Sequence, residues 1–111
     1  MNDRILQLKQ AIIKQKTIHL EEVDNNSPLA NLYRFLHNFD EHVSKLIFQA
    51  FQKSGQFIPF PEIDDLNNEF EKLSVYTDPE QQRLFKHYQM YKQRLEEIYN
   101  LVKEVLTSTE G

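Results

Sequence analysis

Asp40 is the residue best placed to do chemistry, because it sits where a carboxylate is costly. Leu29, Leu32, Leu36, Phe39, Val43, Leu46 and Ala50 step by threes and fours and share one face of a helix. At about 100° per residue, Asp40 lies only about 40–60° from the middle of that face. A carboxylate there needs a partner. A second stripe runs Leu84, Tyr88, Tyr91, Leu95, Ile98, Val102, Val105. Asp40 follows Pro28 by 12 residues, and Tyr91 follows Pro79 by 12. If both helices start at those prolines and run parallel on a diagonal, His87, Tyr91 and Arg94 stand level with Asp40. Three readings are open. Asp40–Arg94 or Asp40–His87–Tyr91 form a buried polar network that fixes helix register. Alternatively, the same groups line a polar site and exchange protons. In the third reading, Asp40 simply faces water.

His37 and Glu41 are four residues apart and share a face, as metal ligands often do. Phe39-Asp40-Glu41-His42 resembles the Asp–His segment of hemerythrin-like bundles. That resemblance implies further His and carboxylate ligands at helical spacing on other helices. Only His19 and His87 remain, and neither has a fitting partner four residues on. Neither a metal site nor a cofactor is therefore expected. Gln89 to Leu95 resembles a helical segment of a primosomal replication accessory family. The chain lacks that family's length and basic charge, so no residue role carries over. Nucleophilic catalysis has little to work with. There is no cysteine, and Ser27, Ser44, Ser54, Ser74 and Ser108 mostly fall at caps or loops, none in a strained glycine-flanked turn. No glycine-rich phosphate loop is present. The pairs Asp64-Asp65 and Glu96-Glu97 point to different helix faces, which suits acid–base pairing poorly. No catalytic residue is expected, and the chain reads as a non-enzyme.

Phe57-Ile58-Pro59-Phe60-Pro61 raises a different question. Its two prolines hold it extended. With Phe48 and Phe51 it puts four phenylalanines between positions 48 and 60. Either the loop folds over the open end of a bundle and plugs it, or it forms an exposed recognition patch.

Four helices must carry these groups. The first starts at Asn2 or Asp3 and is expected to run to about Glu22. Ser27 caps the second and Pro28 takes its first position. It runs to about Ser54, where Gly55 can adopt the left-handed conformation that ends helices. The third, short helix spans about Pro61–Ser74, with Ile63, Leu66, Phe70 and Leu73 on one face. Asp78 caps the fourth, with Pro79 first, and it runs to about Leu106. Short loops force neighbours antiparallel. The fold is expected to be all-α: an antiparallel up-down four-helix bundle with two long helices (2 and 4) and two shorter ones. Residues 1–106 form one domain, and 107–111 form a frayed tail. The long helices should leave apolar surface over at their ends.

Net charge is −4, and its placement matters more than its size. Residues 55–78 carry only Lys72 against Glu62, Asp64, Asp65, Glu69, Glu71 and Asp78. No basic face of the kind that neutralises phosphates is visible. The acidic third helix, through Asp64, Asp65 and Glu69, is either a solvated face or a contact for a basic partner. The N-terminus enters a helical pattern directly, so no signal peptide is expected. No apolar run approaches a membrane span. A cytoplasmic location is expected. The leading expectation is a non-enzymatic protein-binding module, an adaptor, inhibitor or assembly factor. Its partner is another protein, with a second copy of the chain as one candidate. Its contact surface would be Phe57, Ile58, Phe60, Phe51 and Phe48, the acidic helix, or both. A nucleic-acid-associated accessory protein is the alternative, resting on Lys9, Lys14, Lys16, Arg83 and Lys86. A small enzyme around Asp40 is the lesser one.

Overall fold

Asp78 caps one long helix, and Ser27 closes the turn that precedes the other, which starts at Ala30 rather than at Pro28. In the computed structural model the elements are α1 (Asp3–Lys16), α2 (Ala30–Gln52), α3 (Ile63–Lys72) and α4 (Pro79–Thr107). The structure describes residues 3–52, 55–72 and 78–107, and contains no strand among them. Ser27 Oγ accepts from Leu29 N–H at 3.1 Å, closing the short turn that feeds α2. Asp78 Oδ2 accepts from Gln81 N–H at 3.0 Å and caps α4. Gly55 holds φ at 84°, a left-handed value that favours glycine. The expected cap at Asn2, the ends of the second and third helices near Ser54 and Ser74, and residues 108–111 of the tail lie outside the described residues. Thr107 itself closes α4.

The chain directions alternate, as the short connections require. The ring pairs Tyr33–Tyr88 and Phe39–Tyr99 advance together, so α2 and α4 run parallel. Gln15, late in α1, approaches Tyr91, while Gln7 to Lys14 share a groove with Glu97 to Glu104, so α1 runs against α4. Phe60, just before α3, meets Phe39 and His42. Asp65 to Lys72 lie beside the earlier Phe35, so α3 runs against α2. The result is an all-α, up-down four-helix bundle with two long and two shorter helices.

The bundle is flattened to 50 × 26 × 19 Å. The two long helices lie on its short diagonal and pack directly on each other; α1 packs chiefly on α4 and α3 chiefly on α2. Both stripes explain this. Leu29, Leu32, Leu36, Phe39, Val43, Leu46 and Ala50 are all buried, as are Leu84, Tyr88, Tyr91, Leu95, Ile98 and Val102. Each leucine, isoleucine, valine or phenylalanine among them contributes about 1.5–3 kcal/mol when fully covered. Two wide apolar faces gain most by meeting each other.

The first helix is shorter than its pattern suggests. It ends at Lys16 rather than near Glu22. Thr17 Oγ1 donates to Lys14 O at 2.7 Å, and Ile18 N–H donates to Gln15 O. The chain then runs irregularly, and Ile18, Leu20 and Val23 pack against the core. Glu21 O accepts from the Tyr88 hydroxyl at 2.6 Å, which holds this run against α4. Tertiary contact thus replaces the last helical turns, where the β-branched Thr17 and Ile18 favour helix least.

Candidate functional site

The middle of the bundle gathers an aromatic and polar cluster. On α2, Tyr33, His37 and Asp40 succeed one another at steps of four and three along one flank. Tyr33 stacks on His37 with centroids 6.2 Å apart and meets Tyr88 at 6.4 Å. On α4, His87 lies 6.4 Å from the Tyr91 ring. Tyr91 is buried, and desolvation, reinforced by the Asp40 charge, pushes its hydroxyl pKa up to about 12. The Gln15 side chain of α1 opposes that rise. Burial likewise moves the Tyr88 hydroxyl upward, and that hydroxyl is a neutral donor to Glu21 O.

The structure brings Asp40 and Tyr91 within electrostatic reach but joins neither Asp40–Arg94 nor Asp40–His87 by an ion pair or hydrogen bond. Helical spacing puts Arg94 in line with Glu97 and Leu101, which line the groove beside α1, and the charges that act on the Asp40 carboxyl are those of His37 and Glu41. One Arg94 guanidinium nitrogen and His87 Nε2 are buried without a hydrogen-bond partner among the described residues. Asp40 is half-buried. Desolvation raises its pKa, His37 opposes the rise and Glu41 adds to it. The two surface grooves, of about 420 and 510 Å³, are lined by other residues. Tyr33, Tyr88 and Gln15 complete this cluster, and only Tyr88 stood in a sequence stripe. Tyr33 was readable too, seven residues before Asp40 and hence on its flank.

A raised carboxylate pKa has a definite sign for stability. The folded chain binds the Asp40 proton more tightly than the unfolded chain, so the ionised form opposes folding. The penalty is absent below the ordinary carboxylate range and grows as pH rises through the unfolded and then the folded pKa. Asp40→Asn is therefore expected to raise stability at neutral pH and to give no gain at acid pH. Urea melts of both chains at the two pH values check this. An equal effect at both would sink it.

The aromatic loop is split between two tasks. Phe60 is 4 % exposed and packs on Phe39 at 5.1 Å and His42 at 5.5 Å. Its N–H donates to the Tyr99 hydroxyl at 3.0 Å. His42 Nε2–H donates to Ile58 O at 2.6 Å, a second tie across the strap. Phe57 is half-buried against Tyr99, with Lys103 Nζ 5.8 Å from its ring centre. These contacts plug the bundle. Phe48, Phe51 and Ile58, by contrast, are 63, 41 and 57 % exposed. Nothing in the sequence signalled the ties that His42 and Tyr99 make to this loop, because each holds a backbone atom far along the chain.

The charged candidates are also distributed. Asp64 and Asp65 are exposed in the first turn of α3, while Glu69 sits 3.8 Å from Lys72 Nζ. His37 and Glu41 form an exposed pair at 3.9 Å. Among the described residues no group of three or more His, Asp or Glu side chains is placed to hold a metal ion. Arg83 is held by Glu21 and Glu80, which keep its pKa above the ordinary arginine value. The hydrogen-bonded Arg83 guanidinium in turn holds the Glu21 carboxyl below the ordinary range. Among the described residues no helix is long and apolar enough to cross a membrane. No family model matches the chain, and neither a curated protein nor a solved structure matches it.

Proposed function

We propose that this chain is a non-enzymatic protein-binding module, an adaptor, inhibitor or assembly factor of the cytoplasm. The observation that carries the reading is the exposure of Phe48 and Phe51 on the last turns of α2, with Ile58 in the loop beyond. The same segment buries Phe60 and half-buries Phe57, so it had the means to cover aromatic rings. Two phenylalanines left in water one helical turn apart form an apolar feature of the kind that anchors interfaces. The exposed Asp64 and Asp65 on α3 offer a second, polar contact for a partner with basic residues.

Affinity capture from the native host with the wild-type chain and with Phe48→Ser/Phe51→Ser tests this. The double variant is expected to lose the captured partner while keeping its helical signal and melting temperature. Retention of the same partner by the variant would overturn the reading. So would a large fall in melting temperature, since these rings would then be core.

A further inference from the structure

The two helices on the long diagonal carry opposite charge. α1 holds Arg4, Lys9, Lys14 and Lys16 against Asp3, a net of +3. α3 holds Asp64, Asp65, Glu69 and Glu71 against Lys72, a net of −3. The long helices lie between them, so these two faces cannot meet within one copy.

Each face has an apolar element as well. The outer stripe of α1 reads Leu6, Lys9, Ile13, Lys16, at steps of three, four and three. Leu6 and Ile13 are 55 and 66 % exposed, whereas Leu8 and Ala11 on the inner side are buried. Lys9 and Lys16 are exposed and enter no ion pair among the described residues. Across the molecule, the groove of about 510 Å³ lies between Phe35 of α2 and a side of α3 that presents Asp65, Glu69 and Glu71 against the single cation Lys72, which pairs with Glu69. The half-buried Phe35 ring gives that groove an apolar wall. The stripe from Leu6 to Lys16 and the helix α3 are each about 15 Å long, so one can lie along the other.

We propose that the outer stripe of α1 docks into the α2–α3 groove of a second copy of the chain. Leu6 and Ile13 cover Phe35, and Lys9 and Lys16 face the α3 carboxylates. The two faces differ, so the contact is head-to-tail, and each copy keeps one face free to extend the assembly or close a ring. Charge attraction steers the encounter and weakens as salt rises. The proposal does not rest on the Phe48–Phe51 surface, and Phe48→Ser/Phe51→Ser should leave self-association unchanged.

Sedimentation equilibrium of the full chain at low salt, over a range of concentrations, tests it. The mass is expected to rise with concentration and to fall back toward the monomer as salt is added. Lys9→Glu/Lys16→Glu makes both faces acidic, and Asp65→Lys/Glu69→Lys makes both basic. Each is expected to weaken self-association by about tenfold or more, and an equimolar mixture of the two should restore it. Ile13→Ser removes an exposed side chain and should weaken association several-fold with the melting temperature unchanged; it decides the matter if a charge variant fails to fold. A wild-type chain that stays monomeric would overturn the proposal, even if it bound an added basic peptide. Association indifferent to Ile13→Ser, or a mixture of folded variants that remains monomeric, would overturn it too.

Discussion

Phe39→Ala is expected to cost about 3–5 kcal/mol of folding stability, a loss typical of a deleted core aromatic. Phe39 is fully buried on α2. Its ring meets Phe60 of the strap at 5.1 Å and Tyr99 of α4 at 5.2 Å, so three separate segments lean on one side chain. The cavity left by alanine cannot collapse easily. Tyr99 is held in place by the Phe60 N–H, and Phe60 is held by the strap that His42 ties to α2. Domains of this size are stable by about 5–15 kcal/mol, so most of the margin is at stake. A urea melt should show the midpoint falling with little change in slope. A loss below about 1 kcal/mol would mean that the rings repack and that the three-way junction is not the centre of the fold.

The frame was readable because its signals are local and periodic. Every member of the α2 stripe from Leu29 to Ala50 is buried, since a step of three or four fixes the face whatever lies opposite. Asp78 acted as expected because a cap bonds to an N–H group only three residues away, whereas Ser27 closes a turn onto Leu29 and the helix starts at Ala30 rather than at Pro28. The run after Lys16 was not readable. Its path depends on a hydroxyl 67 residues further along the chain, at Tyr88. The strap is similar: His42 and Tyr99 bond across 16 and 39 residues to atoms that every residue carries. The candidate polar cluster falls between these cases. Counting residues from the two prolines put Asp40 level with Tyr91, and the structure brings the Asp40 carboxylate within electrostatic reach of the neutral Tyr91 hydroxyl. Height along the axis says nothing about rotation about it. Arg94 and Asp40 therefore shared a level without sharing a contact. The flattening of the bundle was equally hidden, because a stripe shows that a helix has an inner face but not which helix it meets.

Phe60→Ala separates the two tasks of the aromatic segment, with an expected loss of about 3 kcal/mol or more. Phe48→Ser/Phe51→Ser is expected to stay within about 1 kcal/mol of the wild type, because exposed positions have little to lose. The contrast follows from burial. Phe60 is 4 % exposed and Phe48 is 63 % exposed, though both are phenylalanines near the same end of the bundle. Without the Phe60 ring, the strap keeps its backbone ties to His42, Tyr99 and Ile63 and the half-buried Phe57. It should open more often, and chymotrypsin should then cut after Phe57 faster than in the wild type. Tyr99→Phe gives the intermediate case. It removes the acceptor of the Phe60 N–H but leaves the ring between Phe39 and Phe57, at an expected cost of about 1 kcal/mol. If Phe60→Ala proved as mild as the α2 double variant, the strap would not be a plug, and Phe57 and Phe60 would join Phe48 and Phe51 as contact residues. If the α2 double variant proved as costly as Phe60→Ala, the apolar end of α2 would be core, and the proposed protein-binding surface would have to move to α3.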